Sequence, residues 1–172
     1  ADGANSVITL TNGISLTMSA TPGADSFGAK AENAGRVVFE NGGGTGGTAL
    51  WATGSAGSIG TIAFTGTGSD GAGSRVVLDP YGALDISSSG TDITVGSIEG
   101  SGNIFLGGRM LIVGLDNTAG NGSRHLDTIY AGVLQDGGIG GGTGGQLTKD
   151  GPGTLTLTGA NSYTGRTYVK GG

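Results

Sequence analysis

Glycine punctuates this chain from end to end, at 41 of 172 positions. Between the glycines lie short runs in which apolar and polar residues alternate. Such runs have the period of two of a pleated strand, with one apolar face and one polar face. Glycine supplies the positive φ that tight turns require, so its frequency fits many turns between many strands. Glycine and proline together make up about a quarter of the chain, a share at which disorder has to be weighed. Hydrophobic residues at 35% and charged residues at only 12% argue against an expanded coil.

The alternating runs predict strands over 7–10, 14–18, 36–40, 49–53, 61–65, 75–79, 83–87, 92–98, 103–106, 110–113 and 128–135, and then two or three more within 145–172. Residues 19–34 lose the alternation and contain Pro22-Gly23, so they read as a projecting loop, with a short helix over 29–34 as the alternative. Residues 115–127, rich in Asn and Gly, read as a second projecting loop. The tract 41–47 reads as flexible, 136–145 is glycine-rich, and 140–153 reads as a flexible turn. No stretch forms a convincing amphipathic helix.

Many short strands fit a sandwich, a barrel or a solenoid. Irregular turn lengths and few aromatics (5%) favour the solenoid. Small and β-branched residues can stack on their counterparts from course to course. Courses of ~20–25 residues would give roughly seven or eight of them. The whole chain, 1–172, then reads as one all-β segment.

The net charge of −5 and the scattering of the eight Lys and Arg oppose nucleic-acid binding and attraction to anionic lipid. There is no cysteine, hence no disulfide framework and no thiolate metal site. No apolar run approaches the ~20 residues of a membrane-spanning helix. The sequence opens without a leader pattern and closes in mid-pattern at 170–172, so it is expected to be an excised piece.

The last stretch carries the most specific signal. Leu155 and Leu157 alternate with Thr154, Thr156 and Thr158, and Gly159-Ala160-Asn161 turns the chain. The residues Gly145, Leu147, Lys149, Gly151, Gly153, Thr154, Leu155, Leu157, Gly159, Asn161, Tyr163, Gly165, Thr167, Val169 and Gly172 form a long, spaced pattern. It closely resembles the passenger-associated transport repeat of bacterial autotransporters. A looser likeness runs back through 96–102 and from Leu106 to Gly114. Pro152, Arg166 and Tyr168 depart from the family's small or hydroxyl residues and change turn and surface chemistry only. The resemblance implies a secreted, surface-exposed passenger built as a right-handed parallel β-helix, followed in the parent chain by an outer-membrane barrel. It also implies that 145–172 aids passenger folding and secretion, and it implies no single activity.

Candidate chemical groups are few. His125 lies near Ser123 and Asp127, but no nucleophile motif accompanies it, and a solvated loop histidine is the simpler reading. The tract 140–153 faintly resembles calcium-binding nonapeptides, yet Thr143, Gln146 and Thr148 stand where Asp is needed and Asp150 is alone. Asp79, Asp85 and Asp92 could face one groove with Arg75 or Arg109, as in polysaccharide-cleaving solenoids, although Asp is also common beside turns. Trp51, Tyr81, Tyr130, Tyr163 and Tyr168 could form a sugar-stacking strip, or cap turns and fill the interior. The expectation is therefore no catalytic, metal or cofactor residue. The chain would be a scaffold for adhesion or host interaction, touching a host cell-surface or matrix component, with self-association possible through its open ends. A carbohydrate-active enzyme and a purely structural stalk are the alternatives.

Overall fold

The computed structural model describes residues 7–10, 29–45, 49–114 and 127–171. These residues form sixteen strands and no helix, so none is long and apolar enough to cross a membrane as a helix. The strands are β1 (Val7–Leu10), β2 (Ala29–Ala31), β3 (Arg36–Glu40), β4 (Leu50–Ala52), β5 (Gly54–Ser55), β6 (Ser58–Thr65), β7 (Gly71–Leu78) and β8 (Gly82–Asp85). Then come β9 (Ile93–Gly100), β10 (Asn103–Phe105), β11 (Met110–Val113), β12 (Thr128–Tyr130), β13 (Val133–Gln135), β14 (Gln146–Lys149), β15 (Leu155–Leu157) and β16 (Thr167–Val169).

Except for the β5–β6 hairpin, every strand pairing is parallel, and the order is that of a solenoid. One wall runs β1-β3-β6-β8-β10-β13, six strands deep. The other runs β2-β4-β7-β9-β11-β14-β16. It forks at β9, whose first half pairs with β11 and whose last residue, Gly100, pairs with Tyr130 of β12, while β12 in turn pairs with β15.

The register gives about six courses, fewer than the seven or eight expected. Arg36 lies beside Thr61, Thr61 beside Ala83, Ala83 beside Asn103 and Asn103 beside Val133. The steps are 25 residues (36 to 61), 22 (61 to 83), 20 (83 to 103) and 30 (103 to 133). On the other wall Leu111 to Leu147 is a step of 36. The longer steps take up more chain, the tract 136–145 among it.

Alternation places one set of side chains inside, where they stack in columns. Val37, Ile62, Leu84, Ile104 and Leu134 form one column, each at most 1% exposed. Phe39 stacks on Phe64, ring centroids 5.0 Å apart and planes 17° from parallel. The column Ala52, Leu78, Gly100, Tyr130, Leu157 places the largest ring beside the smallest residue. Tyr130 is fully buried and donates its hydroxyl to the Gly102 carbonyl at 2.7 Å. Burial pushes its phenol pKa up. Each fully buried aliphatic contributes about 1.5–3 kcal/mol of transfer free energy before entropy is charged against it.

Glycine has a second task here besides turning. Gly60 pairs with Gly82, and along the same corner stand Gly102, Gly132 and Gly159. A Cβ on Gly102 would lie 2.2 Å from the Gly82 carbonyl oxygen. One on Gly132 would lie 1.9 Å from that of Gly102, and one on Gly159 1.8 Å from that of Gly132. None of these three has positive φ. They are glycine because one course sits directly on the next.

Two expectations change. Residues 29–34, read as loop or helix, hold β2 and then a turn in which Asn33 (φ 49) and Ala34 (φ 67) are both left-handed and the Gly35 N–H donates to the Glu32 carbonyl. Two successive positive-φ residues make a helix impossible. Parallel pairing of Lys30 with Trp51 recruits the preceding residues into the wall. The run 128–135, read as one strand, is split into β12 and β13 by the corner at Ala131-Gly132. The expected strand at 14–18, His125, the greater part of 19–34 and all of 115–127 except Asp127 lie outside the described residues.

Candidate functional site

The three carboxylates singled out in the sequence serve different neighbours. Asp79 follows β7, and its Oδ2 accepts the Trp51 indole N–H at 2.9 Å. Asp85, 4% exposed at the end of β8, accepts Ser87 N–H (2.9 Å) and Ser87 Oγ–H (2.5 Å) on Oδ1 and Ile139 N–H (2.8 Å) on Oδ2. Asp92 precedes β9 and accepts the Met110 N–H at 3.0 Å. Arg75 makes a two-pronged pair with Glu99, both contacts 2.8 Å. Each group is thus an acceptor or an ion-pair partner that fastens one course to another. Among the described residues no group of three or more His, Cys, Asp or Glu is placed to hold a metal ion.

The aromatic residues divide likewise. Tyr130 is core. Trp51 is half-buried on the outer wall, with the Lys30 ammonium 4.2 Å from its ring centroid and Lys30 paired to Glu32 at 2.5 Å. Tyr163 packs against the core and shares a 2.5 Å hydroxyl contact with Thr167. Tyr168 accepts from Arg166 at 3.5 Å. Tyr81, 45% exposed, sits on the corner beside the β5–β6 hairpin, where the Gly60 N–H donates to its carbonyl.

The tract 136–145 is glycine-rich but not loose. Asp136 accepts from Gly144 N–H, Gly145 N–H, Thr164 N–H and, at 2.6 Å, the Thr164 hydroxyl. Burial acts to raise the Asp136 pKa, but the Thr164 side chain and the backbone donors of Thr164, Gly144 and Gly145 together hold it below the ordinary value. The middle of the tract is fixed to β8 and its turn by Asp85 and by Ser87, whose Oγ accepts Gly140 N–H at 2.8 Å. Asp136 and Ser87 were not singled out in the sequence. An Asp opening a glycine tract, nine residues before Gly145, was the available signal, and its partners are long-range.

The signature residues occupy the last course and the one beneath it. Leu147 is buried, and Leu155, Leu157 and Tyr163 pack on the core from the end of the stack. Gly151 (φ 67) and Gly153 (φ 89) require glycine for conformation. Gly145, Gly159 and Gly165 require it for space, since a Cβ on Gly165 would stand 2.3 Å from the Gly145 carbonyl oxygen. Asn161 Oδ1 accepts the Leu134 N–H at 2.9 Å while the Ser162 N–H donates to the Leu134 carbonyl, so a side chain replaces one rung of the ladder. The Thr154 N–H donates to Asp127, and Thr167 and Val169 belong to β16, where Val169 is 73% exposed. Lys149 is 9% exposed although charged. Gly172 lies outside the described residues.

The comparisons with known proteins agree with this geometry. Residues 147–172 match the passenger-associated transport repeat family. The chain is 35% identical over 114 residues to a protein named Adhesin BmaC autotransporter from Brucella suis biovar 1 (strain 1330). That alignment covers 66% of this chain and 3% of the relative, so the chain spans a small fraction of the protein it matches. No solved structure matches. A parallel solenoid that carries the transport repeat at 147–172 and is similar over 114 residues to part of an autotransporter adhesin has the build of an autotransporter passenger segment.

Proposed function

We propose that this segment is a non-catalytic scaffold on the bacterial cell surface, serving adhesion or host interaction. It would meet a host cell-surface or matrix component through its side walls and projecting loops. Both matches support a secreted or surface location linked to the outer membrane. The observation that carries the reading is the similarity to an adhesin autotransporter over 114 residues. The use of Asp79, Asp85, Asp92 and Arg75 in ties between courses supports the non-catalytic part. A rigid wall binds by complementarity and pays little ordering entropy. The repeat at 145–172 would aid folding and secretion of the passenger, and the parent chain would continue into an outer-membrane barrel.

The test is binding of the purified 172-residue chain to host cells and matrix proteins, with a variant lacking 115–127 in parallel. The expected result is saturable binding that the deletion weakens. Absence of binding at high concentration would refute the adhesive role and leave a stalk or secretion-assisting section. Light scattering across a dilution series checks self-association through the open ends of the stack, which the scaffold reading permits and a concentration-independent monomer would contradict.

A further inference from the structure

Lys149 occupies a position that the pattern reserves for apolar side chains. It is in register with Val113 on one side and Val169 on the other, and Val113 is in register with Val95. Val95 and Val113 are buried, and so is Lys149. Its stem lies in this inward column, and its ammonium turns out at the corner. There Nζ donates to the carbonyls of Gly151 (2.7 Å), Asp150 (3.0 Å) and Gly171 (3.4 Å). The first two belong to its own course and the third to the next.

The corner is glycine on three successive levels. A Cβ on Gly114, in the course before, would stand 3.3 Å from Nζ and 1.6 Å from the Asp150 carbonyl oxygen. Gly151 is left-handed at φ 67, and a Cβ on Gly171 would lie 3.0 Å from the Gly151 carbonyl oxygen. The glycines bring three carbonyl oxygens close to one cation and leave room for nothing larger. The Asp150 carboxylate accepts the Gly151 N–H at 2.8 Å and so braces the same turn.

We propose that Lys149 is a positioning residue that fixes the register in which the final course stacks on the one before it. A parallel strand that slips by two residues keeps its inward and outward faces, so apolar stacking alone discriminates weakly against the slip. The ammonium does discriminate, because the Gly171 carbonyl reaches it only when Lys149 lies beside Val169. A slip removes one of the three acceptors of this ammonium, leaving only the Gly151 and Asp150 carbonyls of its own course, and a donor that loses an acceptor at a largely buried site costs stability. An apolar residue at 149 would bury as well and would tolerate either register. The idea rests on the reading of 145–172 as an aid to folding, but its test is independent of secretion.

The chain has no cysteine, so introduced pairs report register cleanly. Gln146 and Arg166 lie one residue before the Leu147–Thr167 pair and mark the native register. Gln146 with Tyr168 marks a slip of two. Neighbouring strands are ~4.8 Å apart, within disulfide reach. Full-length chains carrying Gln146→Cys with Arg166→Cys, or Gln146→Cys with Tyr168→Cys, are oxidised after refolding, with Lys149 or with Lys149→Met. The expected native-to-slipped yield ratio falls by about fivefold in Lys149→Met, the loss of one long (3.4 Å) hydrogen bond counted at the net value of an ordinary one. Lys149→Arg, which also donates to carbonyls, should restore most of it. An unchanged ratio in Lys149→Met overturns the proposal. So does a variant in which both pairs vanish together, which would make Lys149 a requirement for folding without a part in register.

Discussion

Gly132→Ala is the substitution that most sharply separates stacking from turn-making. The added Cβ would stand 1.9 Å from the Gly102 carbonyl oxygen and 2.6 Å from the Tyr130 hydroxyl. Real Cβ contacts are rarely under 3.0 Å, so the courses must part by about 1 Å there. The obstructing atom is itself an acceptor for two donors, Tyr130 Oη–H at 2.7 Å and Val133 N–H at 3.2 Å. Parting the courses weakens both. Overpacking costs about 1–3 kcal/mol, and disturbing a buried, doubly used carbonyl adds about 1–3 kcal/mol. The expected loss is about 2–6 kcal/mol. Gly57→Ala is the control, because Gly57 has φ +82 but no atom within 4 Å of its would-be Cβ. It should cost about 1–2 kcal/mol of backbone strain. Equilibrium urea unfolding followed by far-UV circular dichroism measures both. Equal losses, or a Gly132→Ala loss no larger than that of Gly57→Ala, would refute the claim that this glycine column exists for contact between courses.

Three further outcomes are expected. Asp136 has a pKa below its ordinary 3.8, so its stabilising contribution is present above that value and is lost as pH falls through the lower folded one. Protection factors over 136–145, which divide out the pH dependence of intrinsic exchange, should therefore fall on acidification below about pH 4 in the native sequence, whereas Asp136→Ala should show low protection at every pH. Tyr130 has a raised pKa, so its contribution is complete below the ordinary 10.0 and declines as pH rises beyond it. Tyr130→Phe should cost about 1 kcal/mol at neutral pH in urea unfolding and make alkaline unfolding less steep. Asp79→Ala removes the acceptor of the Trp51 indole N–H at a half-exposed site, with an expected loss below about 1 kcal/mol and a shift in the emission of the single tryptophan.

The solenoid was legible because strand periodicity is local, whereas its parallel pairing was implied by the resemblance to the transport repeat. The boundaries of β1, β3 and β11 coincide with the alternation itself. Other strands were hidden by the residues that stacking demands. Gly71-Ala72-Gly73-Ser74 has no apolar alternation, yet it opens β7, because β7 meets β9 there through an irregular register. Ala29-Lys30-Ala31 has helical composition and becomes strand because β4 lies alongside. The firmness of 136–145 could not be read either, since Asp85 and Ser87 lie more than 50 positions from the N–H groups they hold. The transport repeat was legible because it combines two local demands, apolar alternation and glycine at turns. The inward placement of Lys149 becomes visible only once Val113 and Val169 stand on either side of it.

The proposed function gives residues 145–172 a part in assembling the stack outside the cell. The direct test is protease accessibility of the passenger on intact cells expressing the parent protein. One strain lacks residues 145–172 and another lacks the hairpin tip 55–58, where β5 turns into β6. The account predicts strongly reduced display without 145–172 and near-normal display without 55–58. Equal display of the two would contradict it.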